Sequence, residues 1–236
     1  MNMNENLQNK IDSILDGRNM EDFKVIEFGI DFEVVKEYWK LVNTLKEKIS
    51  PDLLKERFEK IHTFSIEDQK ELLSHLGRSG SIESYRSLER FMDKVEGEEM
   101  TKWAVIALQH CRVHLENDLL DEPIGFIATG LGGKGSKIRF YAVLFSKEPL
   151  RPAMISEIEA SFRENAPDFN IDIEEVETLE NCILVRMLCP LNMQLSEIVD
   201  VSIEDYPFIE EDYIATNMAK PTLKLIEEWK EKKNNS

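Results

Sequence analysis

The sequence predicts an α+β protein. A helical region over residues 1–121 precedes a mainly antiparallel β-β-α-β-β sheet with helices on one face over residues 122–236. Three observations predict this. From Asp31 to Leu120 apolar residues recur at three- and four-residue spacing, the period of a helix with one buried face. Asp121, Glu122 and Pro123 then break the pattern, because proline cannot continue a helix and restricts the residue before it. Beyond them β-type runs flank a loop holding Gly130, Gly132, Gly133 and Gly135, four of the chain's 10 glycines in six positions.

In the first half, Leu7, Ile11, Ile14 and Leu15 suggest a short helix ending near Gly17. The apolar stretch 23–30 reads as a strand or a buried loop. Phe32, Val35, Trp39, Val42 and Leu45 form one helical stripe. Ser50 before Pro51 is a cap followed by the residue best suited to the first helical position. Leu54, Phe58 and Ile61 lie on the helix they open. Ser65 to Asp68 resembles a capping box, and Gly77 is the expected stop of its helix. Ile82, Tyr85, Leu88, Met92 and Val95 mark the next helix, which Gly97 ends. The helix after it is apolar nearly all round between Trp103 and Cys111, so it should be the most buried.

Helix starts near 51, 65, 81 and 98 repeat at about 30–35 residues per pair, the range of helical repeats. The run 84–111 has an amphipathic helix, a short acidic turn and an Ala-containing buried helix. It resembles a repeat of the HEAT or armadillo kind, closely over 81–118 and loosely over 50–77. The resemblance implies helix pairs stacked side by side. A plain helical bundle explains the same pattern, since at most two units and no Asp or Arg ladder are present.

In the second half, Ile138 to Phe145 is apolar on both alternating faces, which predicts a central strand covered on both sides. Pro149 and Pro152 open a helix carrying Ile155, Ile158 and Phe162. Residues 170–177 alternate like a half-exposed strand, and 182–189 reads as a buried one ended by Pro190. Residues 195–216 hold seven acids and no Lys or Arg, with Ile, Tyr and Phe interleaved. They read as a loop with short helices or as a docking segment. Pro221 opens a last helix with Leu225, Ile226 and Trp229.

The formal net charge of −17 opposes broad contact with nucleic acid or an anionic membrane, because the field repels phosphate. No apolar run reaches the length of a membrane helix, and residues 1–10 lack a signal-peptide layout. Cys111, Cys182 and Cys189 show no CxxC spacing and read as free thiols of a cytoplasmic protein.

No catalytic constellation, cofactor or metal site emerges. Gly130, Gly132 and Gly135 spell GxGxxG, but a strand follows where a dinucleotide fold needs a helix. A looser possibility is an anion nest formed by Gly130, Gly132, Gly133 and Gly135 with Lys134, Lys137 and Arg139. His110 and His114 share a helix face, yet two ligands need a partner from elsewhere to make a site. Around Glu204, Asp205, Tyr206, Phe208, Glu210, Glu211 and Tyr213 the acids and rings suit a basic protein partner. The function expected is a non-catalytic, cytoplasmic protein-interaction module. The alternative is a small-ligand or phosphate-binding domain, conceivably an enzyme, using the hairpin 130–137. No oligomeric state is implied.

Overall fold

A computed structural model describes residues 23–45, 49–120 and 125–234. Two compact units meet between Thr129 and Gly130. The sequence break at Asp121–Pro123 and the short helix near Gly17 lie outside the described residues. Among the described residues no helix is long and apolar enough to cross a membrane.

The first unit holds β1 (Phe23–Val25), α1 (Phe32–Thr44), α2 (Pro51–Glu59), α3 (Ile66–Ser79), α4 (Ile82–Met92), α5 (Glu98–Leu120) and β2 (Gly125–Ile127). Helix starts follow the local chemistry of the sequence. The hydroxyls of Ser50, Ser65 and Ser81 accept from the N–H of Leu53, Asp68 and Ser84, each satisfying one of the free donors at a helix start. Gly77 does not stop α3. The helix runs on to Ser79, and Gly80 ends it at φ 60°, a conformation open to glycine.

The interhelical contacts give the direction of packing. Glu37 of α1 lies 3.9 Å from Lys70 of α3, and Lys70 also pairs with Glu99 at the start of α5. The Trp103 Nε1 donates to the Lys70 carbonyl at 3.1 Å, and Gly77 lies against Ala107 further along. Helices α1, α3 and α5 therefore run parallel. The short turns between α2 and α3 and between α4 and α5 make antiparallel pairs, and Arg90 of α4 reaches Glu59 of α2 at 3.7 Å. Two helix pairs thus stack side by side, while α1 packs along both α3 and α5. This explains the apolar girdle of α5: Trp103, Ala104, Val105, Ile106, Ala107 and Cys111 are all buried in one core.

Strand β2 pairs in parallel with β1, Phe23 opposite Gly125 and Val25 opposite Ile127. The apolar run before the glycine loop therefore belongs to the helical unit. It is not the first arm of a long hairpin.

The second unit contains β3 (Gly133–Lys134), β4 (Lys137–Ser146), α6 (Pro152–Asn165), β5 (Asp172–Leu179), β6 (Cys182–Pro190), α7 (Leu195–Ile203), β7 (Ile209–Thr216) and α8 (Leu223–Asn234). The sheet is antiparallel. Strand β4 is central, with β6 and then β5 on one side and β3 and β7 on the other. The acidic stretch thus contributes α7 and a further strand beyond the expected pattern. The sequence places helices on one face, but Ile226 and Trp229 of α8 pack with Tyr141, Val143 and Phe145 on one side of β4. Ile138, Phe140, Ala142 and Leu144 are buried on the other.

A methyl group on Gly77 would stand 2.5 Å from the Tyr38 hydroxyl and 2.9 Å from the Ala107 carbonyl oxygen. Gly77→Ala gains about 1 kcal/mol of helix propensity, yet overpacking should leave a net loss of about 1–3 kcal/mol. Urea denaturation measures it, and an unchanged midpoint would refute the close approach of α3 to α1 and α5.

Candidate functional site

The glycine loop is built mainly for close packing. Gly132 and Gly133 are buried, while Lys134, Gly135 and Ser136 are exposed. Gly135 and Ser136 join β3 to β4 as a two-residue hairpin turn, with Gly135 at φ 61°. A Cβ on Gly130 would fall 1.7 Å from the Met218 carbonyl oxygen, so glycine there allows the backbone to lie on the segment after β7. The Leu131 N–H donates to the Asn217 carbonyl at 3.0 Å in the same contact.

Two of the three nearby cations meet carboxylates across the sheet. Lys137 pairs with Asp172 at 3.0 Å. Arg139 grips both carboxylate oxygens of Glu174 and donates to the Leu131 carbonyl at 2.8 Å. Those hydrogen bonds from Arg139 hold the Glu174 carboxyl below its usual range against the opposing effect of burial. Arg186 adds contacts to Glu174 at 3.2 Å and Glu175 at 3.1 Å. An anion entering the loop would compete with these acids, leaving exposed Lys134 as its main attraction.

The acid-aromatic segment is tied into the second unit. Glu204 and Asp205 are exposed. Tyr206 donates to the Glu157 carbonyl at 3.3 Å and meets Phe208 edge-on at 5.8 Å. The Lys147 N–H binds the Phe208 carbonyl at 2.8 Å. Glu211 is exposed and Glu210 half-buried on β7, with Tyr213 opposite Leu144 of β4. Among the described residues β7 pairs with β4.

The densest chemical grouping lies in the first unit. A cleft of about 340 Å³ is lined by Val42, Arg78, Ser79, His110, His114 and Asp118. His110 is buried at its floor, and the stripe His110, His114, Asp118 advances along α5 in steps of one turn. His110 Nδ1 shares a 2.9 Å hydrogen bond with the Tyr38 hydroxyl, and its Nε2 lies 3.0 Å from His114 Nε2. Trp39 covers the His110 ring at 4.8 Å between centroids. Arg78 donates to the Leu45 carbonyl. Burial raises the Tyr38 pKa well above its ordinary value, so the phenol stays neutral. Sequence spacing exposes the histidine pair. Tyr38, Arg78 and Ser79 reach it from other helices, where no local signal marks them.

Burial pushes the thiol of Cys111 up to about 11 and that of Cys189 higher still, so neither is poised as a nucleophile. Among the described residues no group of three or more His, Cys, Asp or Glu is placed to hold a metal ion. No known family model matches this chain, and no curated protein matches it.

Burial, with smaller contributions from His114 and Arg78, lowers the His110 pKa to about 4. An unfolded histidine titrates near 6.5. Between those values the unfolded chain binds a proton that the folded chain refuses, so stability falls as pH falls. The loss amounts to about 2 kcal/mol between pH 7 and 5. Thermal melts at the two pH values should show a smaller drop for His110→Gln than for wild type. His75, also lowered by burial, keeps its own share in both proteins. An identical drop would mean that His110 is not held neutral by the fold.

Proposed function

We propose that the chain is a non-catalytic protein-interaction module that docks a basic partner along the acidic edge of its sheet. The observation carrying this reading is β7, an edge strand among the described residues that carries the consecutive acids Glu210 and Glu211. Charged side chains on an edge discourage pairing between copies and steer a surface of opposite charge towards it. Glu204 and Asp205 extend the acidic surface, and the half-buried rings of Tyr206, Phe208 and Tyr213 offer apolar contact beside it. The formal charge of −17 favours encounter with a basic protein and disfavours nucleic acid and anionic membrane.

The helical unit supports the same reading. Two stacked helix pairs are the arrangement that a HEAT or armadillo repeat would give, and such repeats present surfaces for binding. A cytoplasmic setting is proposed from the three free, buried cysteines.

Partners captured from native lysate on the full chain provide the test. Glu210→Lys with Glu211→Lys should leave the circular dichroism unchanged and slow association about tenfold at low ionic strength, the difference shrinking as salt screens it. A double variant that associates at the wild-type rate in low salt would remove β7 from the interface.

A further inference from the structure

The proposed interaction leaves the cleft in the helical unit unused. Its two histidines stand one turn apart on α5, the spacing at which one helix face presents two imidazoles to a single ion. Their Nε2 atoms are 3.0 Å apart. Two imidazoles bound to a tetrahedral ion at about 2.0–2.1 Å hold their nitrogens about 3.4 Å apart. Chelation would replace this hydrogen bond, the two rings turning so that both Nε2 lone pairs meet on one ion.

The surroundings suit this use. His110 Nδ1 is held by Tyr38 at 2.9 Å, the kind of outer contact that fixes a metal-bound imidazole in one tautomer. Tyr38 is fully buried between Gly77 and Trp103 and holds its position. The cleft gives an ion a path from solvent, and Asp118 lines it with no ion-pair partner among the described residues. Arg78 lines it too, and its charge opposes a cation. That repulsion weakens the site relative to a closed one and favours an anionic co-ligand beside the ion.

We propose that His110 and His114 chelate a divalent ion of borderline softness, of the zinc, nickel or copper class, in this cleft. Among the described residues no third metal-type side chain completes the set, so water or a small ligand fills the remaining positions. Imidazole pairs prefer these metals over magnesium or calcium, which require oxygen.

Calorimetric titration of the untagged full chain with zinc chloride, repeated with nickel and with magnesium, tests the site. A single zinc or nickel ion per chain is expected, with no magnesium bound, and the melting temperature should rise with metal concentration. His114 is exposed, so His114→Ala leaves the core packed and should weaken binding at least tenfold. Tyr38→Phe keeps the ring and should weaken it about 10- to 100-fold. Metal-free melts establish that each variant is folded. If Tyr38→Phe fails to fold, His114→Ala decides alone. No saturable uptake at millimolar zinc overturns the proposal. So does wild-type affinity in folded His114→Ala, which would place the ion on the acidic surface, or in folded Tyr38→Phe.

Discussion

The helical unit depends on the burial of one side chain. Tyr38 has no exposed surface, and it stands where α1, α3 and α5 meet. Its ring lies edge-on to Trp103 at 5.4 Å and to Trp39 at 5.6 Å. Gly77 makes room for its hydroxyl, and His110 satisfies that hydroxyl where water cannot reach. A buried phenol without a partner would cost about 1–3 kcal/mol, so His110 supports the burial of Tyr38. Near the helix starts Lys70 performs a complementary task. It lies over the Trp103 ring at 4.6 Å and between Glu37 and Glu99, joining the same three helices through charge.

In the second unit the constraint is the centrality of β4. A strand with neighbours on both sides and apolar residues on both faces needs helices above and below, and α8 is recruited to the second face by Ile226 and Trp229. Towards the start of β4 that face carries Arg139, and the opposite strands answer with Glu174 and Arg186. Such cross-strand pairs fix the register of β4, β6 and β5 by charge where apolar packing ends. The cations beside the glycine loop are therefore part of the sheet's own organisation.

The candidate surfaces differ in physical kind. The edge of β7 is acidic and extended, suited to electrostatic steering of a macromolecule. The cleft of α5 is small and backed by a buried histidine, suited to an ion or a small ligand. They lie in different units, so each can be altered without touching the residues of the other.

Local chemistry was enough to read the helices in the sequence. Serine hydroxyls capping free N–H groups, proline at a first helical position and the 3.6-residue period are properties of adjacent residues, and they located the starts of α2 to α6 and α8 closely, whereas α2 ends at Glu59, before Ile61, and α4 at Met92, before Val95 and Gly97. Strand β4 was equally legible, because a run apolar on both faces has few other uses. Gly77 was misread because a glycine that admits a neighbouring helix looks, in one dimension, like one that ends its own. Strand β7 was hidden because Ile209 and Ile214 stand five residues apart with Glu210, Glu211 and Asp212 between them, so no period-two alternation shows. The sequence alone thus determined the elements and the nearness of His110 to His114. Only the tertiary structure paired 125–127 with 23–25, matched Lys137 and Arg139 to acids some 35 residues away, and brought Tyr38 and Arg78 to the histidines. Such contacts depend on chain segments meeting in space, which no local pattern of residues encodes.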